Sequence, residues 1–295
     1  MTTVHTAGRE QASQHRTPSP AFARCTAARV FCLVSAFHLI ACNAGFHRRE
    51  PQPSTPVRPG AVIQARSDGA ETLQFRIDSV MADPGDREGD VWLYGVSVQD
   101  TGSNAWRPYC LPDAEGRSAA IPVPGSWSMN GDPLPSSGLI TLACTSGAIG
   151  KCIRFGYKPW KTRDGRSLQP YHAACIRMVR ADYCGDGRPH TVDGTAIDIW
   201  DGLGIQAREQ TESRPEVFEA AWGPAGAVYL NVPRWSDDVT DILTDCPAHL
   251  AGRTSRHQRL TPSELQDRFP EALIFDARFV LSQDRQRGPQ RTSTR

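Results

Sequence analysis

The chain has 295 residues, with 33 Lys and Arg against 32 Asp and Glu and a formal net charge of +1. That balance gives no electrostatic case for a nucleic-acid partner. The length allows one sizeable domain or two small ones behind any processed terminus, and with no internal linker or repeat, one is expected.

Residues 1–41 read as an export leader. In "ARCTAARVFCLVSAFHLIAC", Arg24 and Arg29 precede an apolar run from Val30 to Ala41, the order of a secretory n-region and h-region. The run is shorter than the roughly 20 apolar residues that a spanning helix needs. It ends in Leu39-Ile40-Ala41-Cys42, which resembles a bacterial lipobox. That resemblance implies cleavage before Cys42, a diacylglyceryl group on its sulfur and acylation of the new N-terminus. Two or more acyl chains anchor a protein stably where one does not. Asn43 follows Cys42 where an inner-membrane retention signal has Asp. The expected address is therefore the cell envelope, lipid-anchored in the outer membrane of a diderm bacterium.

Loss of residues 1–41 takes the formal charge from +1 to −2. Residues 42–60 then carry Pro51, Pro53, Pro56 and Pro59, a composition that favours extended backbone and reads as a tether. A globular domain is expected over 61–282, and the polar tail 283–295 reads as disordered.

Within the domain, Leu73, Phe75 and Ile77 alternate with Gln74, Arg76 and Asp78, and "VWLYGVSV" follows the turn-rich "ADPGDREGD". This is a β-hairpin pattern. Pro and Gly then break the chain into short pieces, among which Leu139 to Cys144 is the expected strand. In "SLQPYHAACIRMVRADY", Leu168, Tyr171, Cys175, Met178 and Val179 recur at helical spacing, with Arg177 and Arg180 on another face. Ser167 is the expected N-cap and Pro170 falls in the first turn. The helix should stop near Cys184, where Gly185 and Gly187 flank Asp186.

"TAIDIW" alternates as a strand, and "VFEAAWGPAGAVYLNV" reads as a hairpin reversing at "GPAG". Thr261, Pro262 and Glu264 occupy the places of a capping box with Pro at N1, so a short helix starts there. The fold class is α+β, with predominantly short antiparallel strands and hairpins around one main central helix, stabilised by disulfides. Six cysteines remain after Cys25 and Cys32 leave with the leader and Cys42 is acylated: Cys110, Cys144, Cys152, Cys175, Cys184 and Cys246. In an oxidising compartment six thiols read as three bridges, with 15 possible connectivities.

Three separated blocks, "ACTSGAIGKCIRFGYKPW", "YHAACIRMVRADYCGDGRPHTVDGTAIDIWD" and "FEAAWGPAGAV", together resemble the ADYC-domain family of exported, myxobacterial-type bacterial proteins. Ala181-Asp182-Tyr183-Cys184 is the motif, and the resemblance spans roughly residues 105–250. It implies the fold and an exported setting, and no activity.

The Cys- and Asp-rich stretch after the helix has four readings. Asp182, Cys184, Asp186, Gly187 and Asp193 fall at positions 1, 3, 5, 6 and 12 of a calcium loop, but Cys184 replaces an oxygen ligand and a strand follows. "AACIRMVRAD" resembles the Cys-Ile-Arg-Met core of L,D-transpeptidases, which cross-link peptidoglycan, and this implies Cys175 as nucleophile beside Arg177 and Asp182. A thiol needs a base. His172 lies one turn away, while no His stands between His47 and His172 to serve from upstream. His172, Cys175, Cys184 and His190 form a thiolate metal set only with spacing wider than usual. The fourth reading is structural, with Cys175 and Cys184 bridged, to each other or elsewhere, and Asp and Gly shaping a turn.

"TSGAIGKC" ends like a phosphate loop, but Thr145 stands where its first Gly is required and Cys152 replaces the magnesium-binding hydroxyl. Phe155, Tyr157 and Trp160 beside Arg154 and Lys158 would form a glycan- or peptide-binding platform if exposed. The sequence thus reads as a lipid-anchored, disulfide-stabilised envelope module that binds or scaffolds. It needs no cofactor, touches the membrane through Cys42, and takes an envelope glycan or protein as partner. A Cys175 enzyme and a calcium loop are the alternatives.

Overall fold

The computed structural model describes residues 2–5, 57–67, 72–128, 130–134, 138–192, 194–208, 216–236 and 238–279. The leader apart from residues 2–5, Cys42 with most of the tether, Asp193 and the C-terminal tail lie outside the described residues.

The first half of the domain forms strands β1 (Thr2–His5), β2 (Val62–Ser67), β3 (Thr72–Ala82), β4 (Trp92–Gln99), β5 (Trp106–Pro108), β6 (Ala119–Pro124), β7 (Ser126–Trp127), β8 (Pro133–Leu134) and β9 (Leu139–Cys144). The expected hairpin is β3–β4, and β9 occupies the expected bounds. The main sheet runs β3-β2-β1-β9-β6-β4-β5, and β3 also pairs with β4. Six strands therefore close on themselves as a barrel, with β5 outside the ring. Thr2–His5 lies inside the segment that the sequence reads as leader, yet it completes this ring between β2 and β9.

Side chains alternate between two cores, as strand geometry requires. Ala65, Phe75, Ile77, Tyr94, Val96, Val98, Ala120 and Leu142 form one cluster. Their neighbours Leu93, Ile121, Val123 and Ala143 turn to a larger one shared with the helices. Pro122 and Pro124 pair with Leu142 and Ile140 of β9, whereas β4 pairs only Ala119 and Ala120 of β6. The prolines thus fall on the stretch of β6 that β4 leaves free, where a missing N–H removes no ladder bond.

The second half contains helix α1 (Ala148–Arg154), a small hairpin of β10 (Thr162–Arg163) and β11 (Arg166–Ser167), and helix α2 (Gln169–Arg180). Strands β12 (Ile197–Asp201), β13 (Glu216–Gly223) and β14 (Gly226–Leu230), helices α3 (Thr240–Asp245) and α4 (Pro262–Arg268), and strand β15 (Ile274–Phe279) follow. The second sheet is antiparallel in the order β12-β15-β13-β14. α2 lies against β13, β14 and β15 on one side and α1 on another. All eight residues from Tyr171 to Met178 are buried, the signature of a helix enclosed on every side.

The fold class is the one expected, and three helix details differ. α2 has Leu168 rather than Ser167 at its N-cap, although Ser167 Oγ still accepts the Gln169 N–H at 3.2 Å. It ends at Arg180, ahead of the glycines, because Ala181 turns left-handed at φ 50° and ψ 43°. Arg177, expected on a face apart from the apolar one, is buried as well. At α4 the capping box is complete: Thr261 N donates to Glu264 Oε2 at 2.8 Å and Glu264 N to Thr261 Oγ1 at 3.3 Å.

The six cysteines form three bridges, Cys110–Cys144, Cys152–Cys175 and Cys184–Cys246, closing 34, 23 and 62 residues of sequence. Loop-closure entropy puts each at about 3–4 kcal/mol. They tie β9 to the segment after β5, α1 to α2, and the turn after α2 to the residue that caps α3.

Candidate functional site

The Ala181-Asp182-Tyr183-Cys184 run converts the end of α2 into a tight descent onto the second sheet. Asp182 is fully buried. Its Oδ2 accepts Arg177 Nη1 at 2.7 Å and the Gly187 N–H at 2.9 Å. The other nitrogens of Arg177 donate to Pro224 O at 3.1 Å and to the Asp132 carboxylate, and Nη1 also reaches Asn130 O at 3.1 Å. One guanidinium therefore joins the helix, the turn after it, the tip of the β13–β14 hairpin and the β7–β8 loop. Gly185 is at φ +72°, and a Cβ there would sit 1.8 Å from Ala225 O, so the close approach of turn and hairpin requires glycine.

Tyr183 stacks on Trp222 with ring centroids 5.2 Å apart. Its hydroxyl donates to Glu219 Oε1 at 2.8 Å and accepts the Arg234 N–H at 2.8 Å. Beneath it lies a charged cluster with no access to solvent. Arg234 Nε contacts both oxygens of Glu219, at 3.2 and 3.0 Å, and Nη2 reaches Asp276 Oδ2 at 3.1 Å. Trp222 Nε1 donates to Asp276 Oδ1 at 2.8 Å. Arg234 also binds Met178 O and Val179 O, at 2.9 and 3.3 Å, so it caps carbonyls of the last turn of α2, Met178 O alongside the Ala181 N–H at 2.9 Å. Burial, then the neighbouring Glu219 charge, pushes Asp276 well above the carboxylate range against the pull of Arg234. Burial also raises the Tyr183 phenol far above its ordinary value.

Every group in this cluster is spent on another group of the protein. The geometry is that of an internal brace, with no face left for a substrate.

The chain matches the family model described as ADYC domain over residues 59–236. It belongs to the ADYC domain family. The match begins at the barrel strands, upstream of the blocks that carry the resemblance in the sequence. It ends two residues after Arg234, although Cys246, Asp276 and β15 beyond it complete the same bridges, charges and sheet. Neither a curated protein nor a solved structure matches the chain.

In this ADYC domain the described calcium candidates are engaged by groups of the protein itself. Asp182 faces Arg177, Asp186 Oδ1 accepts the Arg188 N–H at 2.9 Å, and Asp193 is outside the described residues. Cys184 is bonded to Cys246 and has no oxygen to offer. The thiolate set is likewise dispersed, since its two cysteines sit in different bridges. His190 Nδ1 contacts Ala181 O at 3.1 Å, and its Nε2 faces Asp245 at 3.4 Å.

Cys175 is fully buried and bonded to Cys152, so it has no thiol to ionise. His172 does not face it as a base. Its Nε2 donates to Ile149 O at 3.3 Å, and its ring meets Trp127 edge-on at 4.9 Å. Burial lowers the His172 pKa to about 4 against the opposing pull of that carbonyl.

The aromatic segment is also turned inward. Tyr157 is fully buried and its hydroxyl donates to Asp201 Oδ2 at 2.8 Å. Phe155 and Trp160 are half-buried, and Trp160 Nε1 donates to Asp90 Oδ2 at 3.1 Å. These rings anchor α1 and the turn after it, which rules out a flat exposed platform.

Lys158, expected beside these rings on an exposed platform, is instead turned inward. It is buried, with Nζ 2.7 Å from Asp86, 2.8 Å from Glu88 and in contact with Asp90. Burial pulls its ammonium down, and the hydrogen bonds to Asp86, Asp90 and Glu88 outweigh that and hold it above its ordinary value. Asp86, Glu88 and Asp90 converge closely enough to hold a metal ion, but the Lys158 ammonium already supplies the cation.

Proposed function

We propose that this protein is a lipid-anchored extracytoplasmic module of the cell envelope that binds or scaffolds other envelope components and performs no chemistry of its own. The observation that carries this reading is the state of the cysteines: all six in the described domain are paired, as expected where thiols are oxidised. The leader and Leu39-Ile40-Ala41-Cys42 support attachment through Cys42. Among the described residues no helix is long and apolar enough to cross a membrane. A braced interior and inward-turned aromatics fit a rigid scaffold whose partner, a glycan or protein of the envelope, meets its surface.

The test is expression of the full chain with its leader in a diderm host, followed by intact mass and fractionation. The expected product starts at Cys42, carries acyl chains and sediments with membranes, whereas Cys42→Ser abolishes acylation and membrane association. A product that keeps residues 1–41, or a Cys42→Ser variant that fractionates unchanged, overturns the proposal.

A further inference from the structure

Closure of the barrel does not need β5. β4 pairs with β6 at Tyr94 and Gly95, and the outlying β5 takes up Ser97, Val98 and Gln99. This strand is nevertheless held firmly. In the turn that leads to it, Asp100 N donates to Ala105 O at 2.8 Å and Asn104 N to Asp100 O at 2.9 Å, while Asp100 Oδ1 accepts the Gly102 and Ser103 N–H groups at 3.1 and 2.8 Å. Cys110, two residues beyond β5, is bonded to Cys144 of β9.

The strand presents Trp106, half-buried, beside a row of amides. Phe75 of β3 and Val98 of β4 face each other inside one core cluster, so their neighbours Gln74 and Gln99 turn to the opposite, outer face in adjoining positions. Gln64 of β2 lies opposite Gln74, and Gln99 lies opposite Trp106. The row from Gln64 to Trp106 therefore crosses four strands, about 14 Å at three strand spacings. Gln64 and Gln74 are exposed, and Gln99 Nε2 donates to Asn104 O at 3.2 Å. The Arg76 guanidinium lies over the Trp106 ring, 4.7 Å from its centroid, and steadies it. Arg76 Nε in turn donates to Asp78 Oδ1 at 2.7 Å, so this ion pair spends its charges on itself.

We propose that this outer face is a glycan platform that takes a neutral, extended chain of β-linked sugar rings. Trp106 stacks on the C–H face of one ring, and the Gln64, Gln74 and Gln99 amides bond hydroxyl or acetamido groups of the rings that follow. The chemistry of the row selects this occupant. A primary amide both donates and accepts, as hydroxyl and acetamido groups do, and the self-neutralised Arg76–Asp78 pair offers little to a charged ligand. Exposed amides are also poor material for a protein interface, whose strong contacts are enclosed and dry. An aromatic surface with a few convergent polar groups is the usual make-up of a small-ligand site, and the rigid turn before β5 lowers the cost of ordering it on binding. The inference rests on the proposed role as an envelope-binding module and names the face and the partner class.

The test is calorimetric titration of the purified full-length product, held in a detergent without a sugar headgroup. The probes are the β-1,4-linked tetramer of N-acetylglucosamine and cellotetraose, which shares the linkage and lacks the acetamido groups. Saturable binding of at least one is expected. Tighter binding of the first assigns an amino-sugar strand, and equal or tighter binding of the second assigns a plain hexose chain. Trp106→Ala is expected to weaken binding at least about tenfold, whereas Trp106→Phe keeps a stacking ring and stays within about threefold of wild type. The pair Gln64→Ala, Gln74→Ala is expected to lose several-fold while its urea midpoint stays unchanged, which separates lost binding from lost folding. Flat titrations with both sugars, or binding that Trp106→Ala leaves intact, overturn the platform. Acylation and fractionation decide the proposed function separately, so an anchored protein with flat titrations fails this inference alone.

Discussion

Replacing Arg234 by Met is expected to destabilise the domain by about 3–5 kcal/mol, a large share of the roughly 5–15 kcal/mol that holds a domain of ordinary stability. The side chain is enclosed, as are Glu219 and Asp276, whose oxygens it contacts at 3.0–3.2 Å. Without the guanidinium, the carboxyl pair has no counter-charge, and Met178 O and Val179 O lose a donor at the end of α2. Most of the loss is the penalty of stranding those acids, since a buried ion pair contributes little net stability when both sides are intact. The triple variant Arg234→Met, Glu219→Gln, Asp276→Asn is therefore expected to be more stable than Arg234→Met alone. Urea unfolding of the three proteins checks this. A single variant within about 1 kcal/mol of wild type would show that the cluster does not brace the fold.

Lowering the pH from about 6.5 to about 4 is expected to weaken the domain through His172. The folded value is about 4 and the unfolded value is near the ordinary 6.5. Between them the unfolded chain binds the extra proton, so stability is full above pH 6.5 and is lost as pH falls toward 4. The slope approaches about 1.4 kcal/mol per pH unit, roughly 3 kcal/mol in all. His172→Gln keeps an amide that can donate to Ile149 O and has no proton to gain, so the slope should disappear in that variant. Carboxylates held below their usual range, such as Asp113 and Asp245, also weaken the fold in acid. They act at lower pH and equally in both proteins. Chemical unfolding of the pair at pH 7, 5.5 and 4.5 isolates the difference, and identical curves would contradict buried, neutral His172.

Local patterns made much of this fold readable. The alternation at Leu73, Phe75 and Ile77, the Thr261–Glu264 capping box and the "GPAG" reversal are each set by residues a few positions apart. The structure forms the corresponding elements. α1 went unread because its buried Ile149, Cys152 and Ile153 span less than two turns, too little for a helical period to declare itself. β15 went unread because "IFDARF" sets Asp276 and Arg278 among buried apolar residues, so no apolar alternation or helical period separates strand from helix.

The charged interior was least legible. Lys158 meets carboxylates 68–72 residues earlier, and Arg234 meets Asp276 42 residues later. No periodicity links such pairs. Glu219 and Asp276, each set among apolar residues of a strand, were the available signs, since a buried acid demands a partner. The four-residue motif raised a choice between metal, thiolate and bridge, and only the positions of Arg177, Gly187 and Cys246 decide among them.

The central claim is that the cysteines of this ADYC domain are structural. It is tested most directly by counting thiols in the purified mature protein under denaturing, non-reducing conditions and mapping the linked peptides by mass. The account predicts no free thiol among Cys110, Cys144, Cys152, Cys175, Cys184 and Cys246, and linked peptides joining 110 to 144, 152 to 175 and 184 to 246. A free Cys175, or Cys175 joined to any partner other than Cys152, would contradict it.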